Sequence, residues 1–327
     1  MAHTVTVIGS YPKPPHEGGE FRLRKALQAV DRGEAGDDDV RAAQDDLVRD
    51  VINEQVAAGV DLVTDGQVRW DDPLTRFAEG LENVSVSGLL RYFDNNTYFR
   101  QPVVKGPIER TGPVLVEEFR FAAAVSPVPV KAVLPGPYTF AALSRDESGG
   151  GPHDLLARLA AALNAEARDL AAAGATVVQF DEPALARVPG QPPGDLDGFA
   201  AVAGRLVDGV EAITVLATYF GDVAPLGSDL FRLPFDVFGL DLVAGPSGAD
   251  VLSALPEGRG VQAGVVDARN TRLEDAGRVA GLVRDLERRA DAERVWLAPS
   301  CGLEYLPRDA AERKLRLLRD VKEVLDR

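Results

Sequence analysis

Two adjacent carboxylates, Asp181 and Glu182, directly follow the apolar run Val177 to Phe180, and Pro183 ends any sheet pairing beyond them. In parallel α/β proteins the loops after strand C-termini carry the chemistry, so acids that end a strand with no solubilising spacer mark a site. The plain alternative is an exposed loop with two charges. A carboxylate at such a tip either holds an ammonium group of a substrate or works as a general acid and base. Neighbours on an extended strand point to opposite sides, which assigns Asp181 to a ligand and Glu182 to bracing the fold.

The same arrangement recurs along the chain. Ser10 follows Val5–Ile8, Asp65 and Gln67 follow Val60–Thr64, and Thr218 and Tyr219 follow Ile213–Ala217. Asp241 follows Val237–Leu240, Asp267 and Arg269 follow Val261–Val266, and Cys301 follows Val295–Ala298. Arg269 offers a bidentate anchor for a carboxylate or phosphate, with a surface ion pair as its ordinary role; together with Asp181 it would suit a zwitterion. Asp181, Arg269 and Asp267 are therefore the catalytic candidates. Ser10, Asp65, Gln67, Asp181, Tyr98 and Tyr219 are the substrate-binding candidates, Tyr98 coming from the polar, aromatic run Asp94 to Arg100. Cys301 is the only thiol, either a buried inert side chain or a metal ligand beside Asp241. Of the three histidines, only His16 in the first loop is placed to reach the other tips.

The elements that must position these groups read as eight short strands, the third being Val130–Leu134, alternating with helices. Apolar spacing predicts helices near Asp38–Ala58, Asp154–Ala173, Leu196–Val210 and Arg308–Leu325, with Thr139 capping a short one after the third strand. The stretch 80–104 reads as a long functional loop or hairpin. Strands apolar on both faces predict an α/β protein of the (β/α)8 TIM-barrel type, a single domain over 1–327. An open doubly wound sheet is the alternative, but no Gly-x-Gly-x-x-Gly follows the first strand and no Walker loop occurs. A barrel would bring all the strand tips to one mouth.

The chain has 327 residues, with 36 Lys and Arg against 51 Asp and Glu, a formal charge of -15. That balance argues against nucleic acid or an anionic membrane as partner and leaves a small molecule. One cysteine precludes an intramolecular disulfide and indicates a reducing compartment. No apolar run approaches a membrane span, and Met1 to Thr4 leads straight into a strand, so a cytoplasmic location is expected.

Six motifs in order, Ile8–Pro12, Asp65–Gln67, Leu134–Thr139, Gln179–Ala184, Thr218–Phe220 and Pro299–Leu303, resemble the cobalamin-independent methionine synthase family across essentially the whole chain. The resemblance implies a (β/α)8 barrel and methyl transfer from a methylated pterin, such as methylated folate, to the zinc-bound thiolate of homocysteine. It implies that Ser10 and Asp181 hold the amino-acid end of the substrate, and that Cys301 and Asp241 stand at zinc-ligand positions. Elsewhere the chain departs from the family's pattern. Leu216-Ala217-Thr218 replaces a His-x-Cys ligand pair, Asp241 replaces the ligand glutamate, Gln67 a substrate-binding glutamate and Arg269 an acid histidine. Thr218–Phe220 and Gly264–Asn270 look more like the family's non-catalytic amino-terminal half. With two ligands replaced, tightly bound zinc is not expected. Pro135–Thr139 also resembles the uroporphyrinogen decarboxylase superfamily, which implies a metal-free lyase or decarboxylase. A non-catalytic small-molecule-binding barrel is the third alternative.

Overall fold

The computed structural model describes residues 3–187, 194–290, 292 and 294–327. In chain order its strands are β1 (Thr4–Val5), β2 (Val84–Arg91), β3 (Tyr98–Val104), β4 (Ala132–Pro135), β5 (Arg145–Asp146), β6 (Val177–Asp181), β7 (Ile213–Ala217), β8 (Val237–Asp241), β9 (Gly260–Val266) and β10 (Arg294–Pro299). Seven of them form a curled parallel sheet in the order β1-β10-β9-β8-β7-β6-β4. Apart from single half-exposed residues at some strand ends, these strands are buried along their whole length, which is why they read as continuous apolar runs.

The expected second strand, Val60–Thr64, is not a strand of this sheet. It meets its neighbours through single parallel bridges, Leu62 to Thr6 and Val63 to Val130. Val63 N–H donates to the Pro129 carbonyl at 3.1 Å, and Lys131 N–H donates to the Val63 carbonyl at 2.8 Å.

The helices are α1 (Arg22–Asp31), α2 (Asp37–Ala57), α3 (Thr75–Ala78), α4 (Val116–Val125), α5 (Pro137–Leu143), α6 (Pro152–Ala172), α7 (Leu196–Val207), α8 (Ala276–Arg289) and α9 (Arg308–Leu325). The expected alternation fails after β7 and β8. There the chain forms 3-10 segments, Ala224–Arg232 and Pro246–Ala254, because Pro225 with Gly227, and Pro246 with Gly248, disfavour a full α-helix.

The 80–104 stretch contains an antiparallel hairpin, β2 against β3, to which β5 adds in parallel as a second small sheet. Asp72 fixes it to the main body by accepting from Arg100 N–H at 3.0 Å. Its turn brings Tyr92 edge-on to Phe220 beyond the β7 tip, with ring centroids 6.0 Å apart.

A polar layer lies inside the sheet's curl. Lys131 is 1% exposed, and its ammonium donates to the Val7 carbonyl at 2.5 Å, to Gln179 Oε1 at 2.6 Å and to Gln262 Oε1 at 2.9 Å. A buried ammonium with three acceptors is satisfied, but desolvation still lowers its pKa to about 7.

Candidate functional site

A narrow cleft of about 440 Å³, counting the solvent at its opening, lies beyond the C-terminal ends of the strands. Ile8 and Ser10 reach it from β1, Gln67 and Trp70 from the bridged segment, and Tyr92 from the hairpin. Pro135 enters from β4, Asp181 from β6, Tyr219 and Phe220 from β7, and Gly302 and Glu304 from β10. Strained backbone aims two of these groups: Gln67 and Phe220 are non-glycine residues with φ of 50° and 68°.

Asp181 is the centre of the site. Its Oδ1 accepts from Gln179 Nε2 at 2.7 Å and its Oδ2 from the Tyr219 hydroxyl at 3.1 Å. Burial raises its pKa to about 7, against the pull of those two donors and of the Lys131 charge behind Gln179. Its neighbour Glu182 turns the other way and is fully buried. Its carboxylate accepts from Tyr138 N–H at 2.8 Å, and from Thr139 N–H and the Thr139 hydroxyl, both at 2.7 Å. It thus satisfies the first free amides of α5; burial raises its pKa to about 8, against the pull of the Thr139 and Tyr138 donors. Thr139 is therefore not the cap of α5, as its position in the sequence suggested; Gly136 is the N-cap residue and Glu182 supplies the acceptor. Gly136 is required, because a Cβ there would fall on the Glu182 carboxylate.

Sequence reasoning missed Glu304, one residue past the Pro299–Leu303 motif. It lines the cleft and accepts the Ser10 hydroxyl. Burial raises its pKa, while Ser10 and the Lys13 ammonium pull it down. Tyr92 was missed because the signal for it was the hairpin's packing, which no local pattern encodes. Lys131 was hidden inside an ordinary strand pattern.

Several expected site residues lie elsewhere. Asp65 turns away to a separate cavity with Glu118 and Lys131, its Oδ1 accepting from Gln67 N–H at 2.9 Å. Tyr98 is 56% exposed on β3, because strand alternation aims its neighbour Phe99 inward instead. Asp267 closes its own turn, accepting from Arg269 N–H at 2.7 Å and from the Asn270 side chain. Arg269 is exposed; its guanidinium lies 5.7 Å from the Phe220 ring centroid and donates to the Asp94 carbonyl at 3.2 Å. It fastens the hairpin turn rather than anchoring an anion in the cleft. His16 faces Glu54 at 3.3 Å in a separate groove lined by Phe21 and Arg308. Arg69 and Arg100, the other cations a decarboxylase pocket would need, pair with Asp45 and Asp71 instead.

The residues at the zinc-ligand positions do not fit a zinc centre. Asp241 has both oxygens occupied, Oδ1 by Val243 and Ala244 N–H at 3.0 and 2.8 Å and Oδ2 by Phe220 N–H at 3.1 Å. Burial pushes the Cys301 thiol well above its ordinary pKa, so it is held as the protonated form. The Thr218 hydroxyl donates to the Gly239 carbonyl at 2.7 Å, and Leu216 has no donor atom. Among the described residues no three His, Cys, Asp or Glu side chains come together in a way that could hold a metal ion.

Comparison with known proteins gives the chain's family. A family model described as the catalytic domain of cobalamin-independent synthase matches residues 3–324. A methionine synthase of Saccharolobus solfataricus is 34% identical over 312 residues, 95% of this chain and 91% of that protein. A methionine synthase of Sulfurisphaera tokodaii is 33% identical over 311 residues, 95% and 88%. The solved structure of a B12-independent methionine synthase from Shewanella sp. W3-18-1, in complex with selenomethionine, superposes with a TM-score of 0.84 at 23% identity, covering 100% of this chain and 98% of that one. By its sequence over almost its full length, the chain belongs to the cobalamin-independent synthase catalytic-domain family.

Proposed function

We propose that this protein is a methyltransferase that methylates the sulfur of a small thiol bearing an amino group, homocysteine or a close relative, with a methylated pterin such as methylated folate as donor. The observation that carries this reading is Asp181, half-buried at a strand tip and lining the cleft of a chain in this family. Its carboxylate would hold the substrate ammonium, exchanging its own proton for the ligand's charge. In the overall transfer the donor's nitrogen–methyl bond breaks, a sulfur–methyl bond forms, and the thiol proton ends on the donor nitrogen. The chain's own residues supply binding and water exclusion: Gln67 and Tyr219 flank the ammonium, and Trp70, Tyr92 and Phe220 cover the reacting end. Arg269 and Asp267 then serve by holding the rim, Ser10 by holding Glu304.

The bridges of Leu62 and Val63 to both sheet edges support a closed (β/α)8 ring, in a single domain over 1–327. A cytoplasmic location is supported by the single cysteine; among the described residues no helix is long and apolar enough to cross a membrane.

The test is incubation of the full chain with methylated folate and a panel of small aminothiols, followed by mass spectrometry for an S-methyl product. Product that disappears in Asp181→Asn supports the reading. Thiol binding without product on any donor would make this a binding protein instead.

A further inference from the structure

Gln67 presents to the cleft a carboxamide with nothing bound to it. Its backbone is fixed: φ is 50°, its N–H donates to Asp65 Oδ1 at 2.9 Å, and its carbonyl accepts from Trp70 N–H at 3.1 Å. Its side chain is half-buried on the cleft wall, and among the described residues neither Oε1 nor Nε2 has a hydrogen-bond partner. A side chain aimed by a strained backbone, with two N–H donors and an acceptor unused, is placed for a ligand.

Two contacts put that carboxamide beside Asp181. It lies over Gly9, beyond β1, where a Cβ would stand 3.4 Å from its carbon and 3.5 Å from Nε2. The preceding residue, Ile8, shares one amide nitrogen with Asp181: Gln179 Nε2 donates at 2.7 Å both to the Ile8 carbonyl and to Asp181 Oδ1. A carboxylate and a carboxamide therefore flank the same end of the cleft. The hydroxyls beside them are taken, Tyr219 by Asp181 and Ser10 by Glu304. Gly302 makes the Ser10 contact attainable, because a Cβ there would fall on both the Ser10 hydroxyl and the Glu304 carboxylate. The wall thus holds two carboxylates, with the Lys13 ammonium close enough to draw the Glu304 pKa down. A glutamate at position 67 would add a third carboxylate and repel a ligand anion, whereas the carboxamide offers donors and adds no charge.

We propose that Gln67 is the specificity-determining residue by which the cleft recognises a complete α-amino-acid head group. The ligand ammonium goes to Asp181 and the ligand carboxylate to the Gln67 Nε2 hydrogens, with Gln67 Oε1 facing the ammonium. The inference rests on the thiol-methylation reading for its ligand class and adds the group that reads the carboxylate.

The test is calorimetric titration of the full chain at about pH 8, where Asp181 is ionised, with L-homocysteine and with its decarboxylated form, an aminopropanethiol. Wild-type protein is expected to bind homocysteine at least about tenfold more tightly. Gln67→Glu removes the donors and sets a charge against the ligand carboxylate. It is expected to weaken homocysteine by about a hundredfold and to hold the aminopropanethiol at least as tightly as before, inverting the preference. Gln67→Met removes the donors and adds no charge, and is expected to bring the two affinities within about threefold of each other. Melting curves check that the variants fold, and either one carries the comparison. A wild-type protein with no preference for homocysteine, or variants that weaken both ligands alike, overturns the role of Gln67 and leaves the thiol reading intact. Binding of neither compound to wild type overturns both.

Discussion

At the scale of single residues, Asp181 carries the consequences of its burial. Its carboxyl pKa is raised from 3.8 to about 7, so the folded state holds a proton that the unfolded state has released between those values. Stability contributed through this group is therefore lost as pH rises from about 4 to 7. Asp181→Asn removes that penalty: we expect equal stability with wild type near pH 4 and a gain of roughly 4 kcal/mol at most near pH 8, measured by urea unfolding. The same substitution should weaken binding of an ammonium ligand by about a hundredfold, since a charge-assisted pair becomes a neutral contact. In wild type, binding should strengthen as pH rises through about 7, where Asp181 ionises and an alkylamine keeps its proton. Cys301 and Asp241 lead to a second expectation. Protein purified without chelator or affinity tag should hold well under one zinc per chain by elemental analysis, unchanged by Cys301→Ser, because the Asp241 oxygens already serve three backbone amides. Near-stoichiometric zinc lost in that variant would show a working centre.

At the scale of elements, one carboxylate joins β6 to α5. Glu182→Gln replaces one of the oxygens facing Tyr138 and Thr139 by an NH2 group, setting donor against donor at the helix start. We expect a loss of about 1–3 kcal/mol, read in chemical unfolding, and a matching loss from Gly136→Ala, whose methyl displaces the same carboxylate. A Glu182→Gln variant as stable as wild type would contradict the capping role. Beneath the cleft, Lys131 joins β4 to β6 and β9 through Gln179 and Gln262. Its charge lowers the Asp181 pKa, so Lys131→Met should move the pH midpoint of ligand binding upward. It should also destabilise the fold, since three buried acceptors lose their donor.

At the scale of the whole molecule, the question is how the sheet's two edges, β1 and β4, are joined. If the bridged segment closes the ring, the amides of Val63 and Lys131 exchange with solvent as slowly as those in the middle of β7, because all are hydrogen-bonded and buried. Hydrogen–deuterium exchange read by mass spectrometry checks this, and fast exchange confined to 60–64 would mean an open edge. The hairpin turn is the contrasting case. Arg269→Ala removes its tie to Asp94 and its cover on Phe220, so exchange around 92–95 should rise while the sheet is unaffected.

The sequence by itself determined seven of the buried parallel strands, because both-face burial demands uninterrupted apolar runs such as Val177–Phe180 and Ile213–Ala217; the equally apolar run Val60–Thr64 is held only by single bridges. It also determined that polar groups follow those runs, and the order of its motifs identified the family. The split between Asp181 and Glu182 followed from strand alternation alone. Only the tertiary structure decided which tip residues meet. Asp65, Asp267 and Asp241 are short carboxylates that close on their own backbone amides, a competition that spacing does not reveal. Arg269 and Tyr98 were decided by where the hairpin packs, and Glu304 by a glycine that lets its carboxylate reach Ser10. Lys131 stands just before β4 in a run that is otherwise apolar, and its three acceptors come from Val7, Gln179 and Gln262, which only the curl of the sheet brings together.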